Sequence, residues 1–543
     1  MLDSMERGTE VPVKGAARLK VGILLPAEGW VAWVEHLVGE IALTPAAEIA
    51  LIGVAERRDA GLRPRAAFLW RLYTALDRVG ARIRPDAFAA AEPSAAVPVE
   101  IQHFDPREPL PSCAGLDVLL LLGEAADLRG QLPPPRFGLW WFAGGSGAGA
   151  AEVVSGTAAT AATLWATLPD GREHPICRSW SRTNDKSVWR NRQRRCWKAA
   201  HMPARKLREL RHRGAAALAC AGGSPEKSAE AASDSEDIAA PGNLETAAFA
   251  LGLARRALRG AVETTFYRPQ WCLAYELDPE PASVRPDRLR RLIPPRDRFW
   301  ADPFPVEVDG RCFVFVEEWL YRRGKGRISV LELEGESVRE AGTALEASHH
   351  LSHPFLFRWN DRLYMIPESG RTRSVELYRC LSFPLRWERD RVLLEGLRGV
   401  DATLEEIDRT WWMFLNVGKR GISNHDELHL YYADSPLGPW REHARNPVKS
   451  DVRSSRPAGR LIRDNGQLLR PAQDCTPRYG SAICLHRILE LSPDRFAEEP
   501  VARLEPAAVP GAGRIHTLNG CGGIRFIDFQ RRIPRIAWGR PHG

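Results

Sequence analysis

Apolar runs of buried-strand length recur through the first part of the chain, separated by stretches able to form helix. The runs are Leu19 to Leu25 (LKVGILL), Ile49 to Ala55, Val97 to Gln102, Val118 to Leu122 and Gly138 to Phe142, and Trp30 to Glu40 has the spacing of an amphipathic helix. This alternation predicts an α/β domain built on a parallel sheet. From Ser224 to Asn243 (SPEKSAEAASDSEDIAAPGN) bulky apolar residues almost vanish, which predicts a flexible linker. Leu244 to Gly260 then reads as a helix leading into the second half.

In the second half the pattern becomes short apolar strands, paired turn residues and many prolines and glycines. A unit repeats in form: a polar residue, a small residue or Pro, a short strand, a turn, then an apolar strand with a polar end. It runs from Asp302 to Glu318 across Asp309-Gly310, from His353 to Glu368 across Asn360-Asp361, and from Asp401 to Asn416 across Asp408-Arg409. The fourth unit runs from Arg456 to Gln473 and Asp474 across Asn465-Gly466, and a fifth, degraded one from His516 to Asp528 through a glycine-rich turn. The starting residues are 51, 48, 55 and 60 positions apart. Several-stranded units of that length predict the blades of a five-bladed β-propeller.

A length of 543 residues requires more than one domain. The expected division is a disordered tail (1–18), an α/β domain (19–214), a flexible linker (215–243), a connecting helix (244–265) and the propeller (266–543). The net charge of +8 is spread too widely for a nucleic-acid groove but suits an anionic ligand. The ten cysteines show no C-x-x-C pair, so reduced thiols in a cytoplasmic protein are expected, with neither metal site nor cofactor motif. The longest apolar run, Gly115 to Gly123, falls far short of the roughly 20 residues of a membrane span. The Arg178 to Arg213 segment interleaves arginines with Trp180, Trp189 and Trp197; it reads as a solvated face over packed tryptophans, with an anionic partner as the alternative.

In each unit the start of the first strand and the end of the second lie at one sheet edge. The first strands line a propeller's channel, so Asp302, His353, Asp401, Arg456 and His516 are expected to form an inner ring at one mouth. Glu318, Glu368, Asn416, Gln473 and Asp474 fall close behind it. Acid/base work on an acetal bond needs one protonated and one ionised carboxyl. Asp302 is the candidate base, Glu368 the candidate acid, and Asp401 the group that tunes one of them. Glu318, His353, Asn416, Arg456, Gln473, Asp474 and His516 are the candidate substrate-binding residues, with Arg456 able to clamp a phosphate or carboxylate.

The ordered strings FWADPF, FVFVEE, HLSHPFLF, YMIPES, DATLEE, WWMF, YYADSPLGPW, RNPVKSD, RPAGRL, RPAQDC and YG resemble the N-terminal domain of plant glucosamine inositolphosphorylceramide transferases and bacterial relatives, over about Gln270 to Asp528. That domain is similar in architecture to the five-bladed propellers of family 43 glycoside hydrolases, whose resemblance implies an Asp base, a tuning Asp and a Glu acid. Asp302 and Asp401 match the first two in kind and blade. Glu368 comes before the tuning Asp, whereas the hydrolases carry the acid after it, where this chain has Arg456. In the plant enzymes the sugar-transferring domain is a separate C-terminal one.

The first half resembles the N-terminal domain of formyltransferases of the methionyl-tRNA and sugar-nucleotide kind, through KVGILL, GLDVLLLLG, FGLWWF, AEVVSG and TAATLW. The resemblance implies an Asn, a His and an Asp around a folate, with the His just after FGLWWF. This chain has Ala143-Gly144-Gly145-Ser146 there and no histidine between His103 and His174, so an inactive or repurposed domain is expected. The GGSGAGA string lacks the G-x-G-x-x-G spacing of a phosphate cradle. The leading expectation is a carbohydrate-active or carbohydrate-binding protein of surface glycan or glycolipid assembly, with a saccharide, glycolipid or sugar nucleotide as ligand. The alternatives are a formyl or acyl transferase acting on an amino sugar and a purely non-catalytic glycan-binding scaffold.

Overall fold

The computed structural model describes residues 17–27, 29–56, 67–81, 84–93, 99–105, 113–143, 149–219 and 240–535. The linker expectation and the GGSGAGA string fall largely outside these residues, as does the tail. The described chain divides into two units, one formed mainly by the first 254 residues and the other by most of the rest.

The first unit holds a seven-stranded sheet in the order 3-2-1-4-5-6-7, the first strand being Leu19–Leu25 and the seventh Glu173–Arg182. Strands one to five run parallel and the last two pair antiparallel. Both faces are covered, which is why the central strands read as unbroken apolar runs and not as alternation. Val21, Ile23, Leu25, Val118 and Leu120 pack on one side with Leu37 and Ile41 of the helix Ala32–Leu43 and Leu207 of the helix Val188–Arg213. Leu24, Leu119 and Leu121 pack on the other with Leu128 and Trp141. The Arg/Trp segment opens on the last strand and continues into the helix Val188–Arg213. There Trp197 is buried and Trp189 lies beneath Arg78 and Arg192, so the tryptophans are packed and the arginines cap them.

The second unit is a five-bladed propeller. Blade 1 spans Arg298–Val308 to Ser337–Leu345, and blade 2 Ser352–Trp359 to Arg386–Glu395. Blade 3 begins at Arg398–Ile407 and blade 4 at Arg456–Pro457. Blade 5 is not degraded: Arg514–Cys521 and Ile524–Pro534 are completed by Tyr267–Leu277 and Arg290–Leu292 from the opposite end of the unit. The five inner hairpins turn at Asp309-Gly310, Asn360-Asp361, Asp408-Arg409, Asn465-Gly466 and Gly522-Gly523, and both residues of each pair have positive φ. That is the type I′ geometry, whose twist matches two antiparallel strands.

The inner strand carries the same irregularity in four blades. Ala301 pairs with Glu317 and Phe304 with Phe315, so Asp302 and Pro303 oppose a single residue, Val316. His353-Pro354, Asp401-Ala402 and His516-Thr517 repeat this two-against-one bulge. Asp302, His353 and Asp401 have φ of 49°, 42° and 55°, sparsely populated values for residues other than glycine. In blade 4 the inner strand breaks after Pro457 and resumes at Ile462–Asp464.

Candidate functional site at the propeller mouth

The bulges turn the first residue of each pair into the ring, and hydrogen bonds pass from blade to blade. Asp528 accepts the backbone N–H of His516 and Thr517 through Oδ1 at 3.0 and 2.9 Å, and that of Asp302 through Oδ2 at 3.0 Å. Asp302 accepts the N–H of His353 at 3.1 Å and the hydroxyl of Thr517 at 2.8 Å. The imidazole of His516 sits between the two carboxylates, Nε2 3.0 Å from Asp302 Oδ1 and Nδ1 3.0 Å from Asp528 Oδ2.

On the other side of the ring, Arg456 grips Asp401 with Nε at 2.6 Å and Nη2 at 3.2 Å, and Gln473 Nε2 donates to the same carboxylate at 3.0 Å. Glu368 lies beside this pair, 3.6 Å from Arg456 Nη2, and accepts from Ser352 Oγ at 2.9 Å. The Asp401 side chain is 2% exposed and that of Glu368 13%, so solvent reaches Glu368 but hardly Asp401.

These contacts split the carboxyls into two kinds. Burial works to raise the Asp302 carboxyl, but His516 outweighs it and holds Asp302 well below the carboxylate range. Burial is likewise outweighed at Asp401, where the charge of Arg456 holds the carboxyl below its ordinary value. Glu368 goes the other way: burial, reinforced by the charge of Asp401, pushes it up to about 8. Burial, and then the charge of Asp302, raises Glu317 well above its ordinary value. His516 rises to about 10 because Asp528 and Asp302 overcome the cost of burying it, whereas burial lowers His353. The mouth therefore sets two carboxyls pushed upward, Glu368 and Glu317, beside carboxylates that neighbouring cations hold ionised.

The structure brings Asp302, His353, Asp401, Arg456 and His516 together with Glu368, Asn416 and Gln473. It does not bring Glu318 or Asp474 to them. Glu318 is held by Arg298, Arg327 and Ser329, and Asp474 by Thr476 and Arg503. The register shows why Glu317 takes the place expected of Glu318. Glu317, Glu368 and Asn416 pair with Ala301, Ser352 and Val400, the residue immediately before the bulge in each blade. Because side chains alternate, a shift of one residue sends the carboxyl to the opposite face.

Sequence reasoning also missed Asp528 as a ring acceptor, although it named that residue as the end of the fifth unit. It missed an aromatic wall as well. Tyr479 stacks under Arg456 at 5.1 Å and lies 5.0 Å from the His516 ring, which is itself 4.2 Å from Trp271. His425 joins through Arg456 Nη1 at 2.8 Å. Asp302, His516 and Asp528 offer ligand atoms within 4.8 Å of one another, the spacing of a cation site. Here the imidazole places one positive charge between the two carboxylates.

Several polar atoms at this mouth have no hydrogen-bond partner among the described residues: both ring nitrogens of His353, both amide atoms of Asn416 and Oε1 of Gln473. All three residues are buried, where an unpaired polar atom costs about 1–3 kcal/mol. Their clustering at one mouth marks a place built to meet hydroxyl-bearing or otherwise polar matter.

Fold and mouth define a five-bladed propeller with a buried polar ring. Residues 294–512 match the family described as glucosamine inositolphosphorylceramide transferase 1, N-terminal, as the ordered strings implied. Glucosamine inositolphosphorylceramide transferase 1 of Oryza sativa subsp. japonica is 36% identical over 208 residues, covering 37% of this chain and 28% of that protein. Its counterpart in Arabidopsis thaliana is 33% identical over 211 residues, covering 37% and 27%. The chain thus spans little more than a quarter of the length of these relatives. Among solved structures, Zg3597, a family 117 glycoside hydrolase of Zobellia galactanivorans, aligns with a TM-score of 0.32 at 12% identity, covering 48% of this chain and 90% of that one. A GH43_1 enzyme from Xanthomonas citri complexed with xylose gives a TM-score of 0.32 at 12% identity, covering 44% and 87%.

Proposed function

We propose that the propeller mouth binds a saccharide, as part of surface glycan or glycolipid assembly. The observation that carries this reading is the set of buried polar atoms on His353, Asn416 and Gln473 that make no hydrogen bond among the described residues. Sugar hydroxyls both donate and accept, and so match such a set. Tyr479 and Trp271 supply ring faces beside it, and Glu368, its carboxyl raised to about 8, acts as a donor. The relatives named above carry a glycolipid-modifying activity in their names, which agrees with a sugar-bearing lipid headgroup as the ligand.

Binding is favoured over hydrolysis by the state of the two aspartates. Asp302 already takes two hydrogen bonds and an ion pair, and Asp401 three hydrogen bonds, so neither is poised to take a proton from water. Processing is the second reading, favoured by one observation: Glu368, with a carboxyl near 8, stands beside ionised Asp401 as an acid stands beside its partner.

Titration calorimetry with a panel of saccharides, inositol-phosphate sugars and sugar nucleotides tests both. Binding by the wild type that weakens at least tenfold in Asn416→Ala, with no turnover of any bound glycan, is expected. Turnover abolished by Glu368→Gln with binding intact would establish the second reading. The absence of binding across the panel, in protein that unfolds cooperatively, would remove both.

A further inference from the structure

A second cluster of chemically capable side chains lies in the first unit, away from its sheet. The helix Ala32–Leu43 carries His36 and Glu40, four residues apart and therefore on one face. The helix Val188–Arg213 packs against it and contributes His201. Glu40 Oε1 lies 3.5 Å from His36 Nε2 and 2.6 Å from His201 Nδ1. The two imidazoles meet edge to face at 4.7 Å between centroids, with Trp197 against His36 at 5.8 Å.

The orientation of His201 gives the cluster its meaning. Its ring is buried, and its two nitrogens face two acceptors: Nε2 is 3.2 Å from the carbonyl oxygen of Arg420, and Nδ1 faces the Glu40 carboxylate. The carbonyl fixes a proton on Nε2, which directs the Nδ1 lone pair at Glu40. A lone pair and a carboxylate oxygen at that distance require a positive body between them, either a proton or a metal ion.

We propose that His36, Glu40 and His201 form a binding site for a divalent cation of the zinc class. The three ligand atoms lie within 4.8 Å of one another. Two imidazoles and a carboxylate suit zinc and its transition-metal neighbours, and not calcium or magnesium, which take oxygen ligands. Zinc bonds of about 2.0–2.1 Å place tetrahedral donors about 3.3–3.5 Å apart. The His36 to Glu40 separation already has that value, and the His201 to Glu40 separation reaches it by a small rotation of the Glu40 side chain once the ion replaces the bridging proton. His36 and Glu40 are 21% and 26% exposed, which leaves a fourth position open to water.

The full-length chain, stripped with chelator and loaded with zinc sulfate, tests this by elemental analysis after gel filtration. One zinc per chain is expected, with affinity at least tenfold lower in His36→Ala and in Glu40→Gln. X-ray absorption on the loaded wild type is expected to show two imidazoles and one carboxylate, a result that does not depend on either variant folding. Failure of the wild type to retain zinc overturns the proposal. So does equal retention in both variants, which would put the ion elsewhere, for example on Asp302, His516 and Asp528.

Discussion

Glu368 and His516 make the stability of the propeller depend on pH in a way that can be worked out from their neighbours. A glutamate carboxyl titrates near 4.3 in an unfolded chain and near 8 at Glu368 in the fold. Between those values the folded protein holds a proton that the unfolded chain has released, so stability falls as pH rises from about 4.3 to about 8. His516, raised to about 10, acts in the same direction: its contribution is fully present below about 6.5 and is lost as pH climbs toward 10. Asp302 and Asp401, both lowered, contribute above about 3.9, and that contribution is lost as pH falls further. The propeller is therefore expected to be most stable near about pH 4, to lose stability as pH rises from there to about 8, and to lose more toward pH 10. Urea unfolding of wild type and Glu368→Gln from pH 4 to 10 checks this. The variant should show a shallower slope between about pH 4.3 and 8 and keep the slope toward pH 10, with Glu317 and His516 supplying what remains; parallel curves throughout would show that Glu368 ionises normally in the fold.

Among the elements, the inner hairpins are where sequence and structure agree most closely, because their turns are chemically explicit. Asp-Gly, Asn-Asp and Asn-Gly pairs between apolar runs name a turn with two positive φ values. Asp408-Arg409 was legible only through its place in the repeat, since arginine is costly at φ 63°. Arg409 is exposed, so Arg409→Gly should stabilise the protein by about 1 kcal/mol. Gly310→Ala should do the reverse by a similar amount, since φ is 72° and a Cβ there meets nothing within 4 Å. Equilibrium denaturation of the two variants reads the pair, and two shifts of one sign would contradict it.

The site was less legible than the turns for a related reason. FVFVEE offers two adjacent carboxyls, and only the bulge between Ala301 and Phe304 decides that Glu317 faces the ring while Glu318 joins Arg298 and Arg327. Tyr479, His425 and Trp271 come from outside the repeating positions, so no repeat count could find them. The hairpin Ala159–Thr167 and Glu173–Arg182 was likewise hidden, its small residues and arginines lacking a clear strand signal.

For the propeller as a whole, closure of the ring rests on one strand. Tyr267–Leu277 pairs along its full length with Ile524–Pro534, joining the two ends of the unit within a single blade. Its side chains alternate between neighbours: Cys272 and Ala274 pack with Ala458, Ile483 and Leu485 of blade 4, whereas Leu273 and Tyr275 pack with Trp300, Val314 and Val316 of blade 1. Removing the strand thus opens two interfaces at once and exposes the edge of Ile524–Pro534. The segment matched to the family, 294–512, stops short of both halves of this blade. A fragment of 255–543 should therefore unfold in one cooperative transition by tryptophan fluorescence. A fragment cut to 294–512 keeps the four blades with the most recognisable strings but should show no such transition and should bind a hydrophobic dye. The comparison separates what identifies this domain from what holds it closed: a cooperative 294–512 fragment would show that the ring residues of blades 1 to 4 suffice without Asp528, His516 and the closing strand.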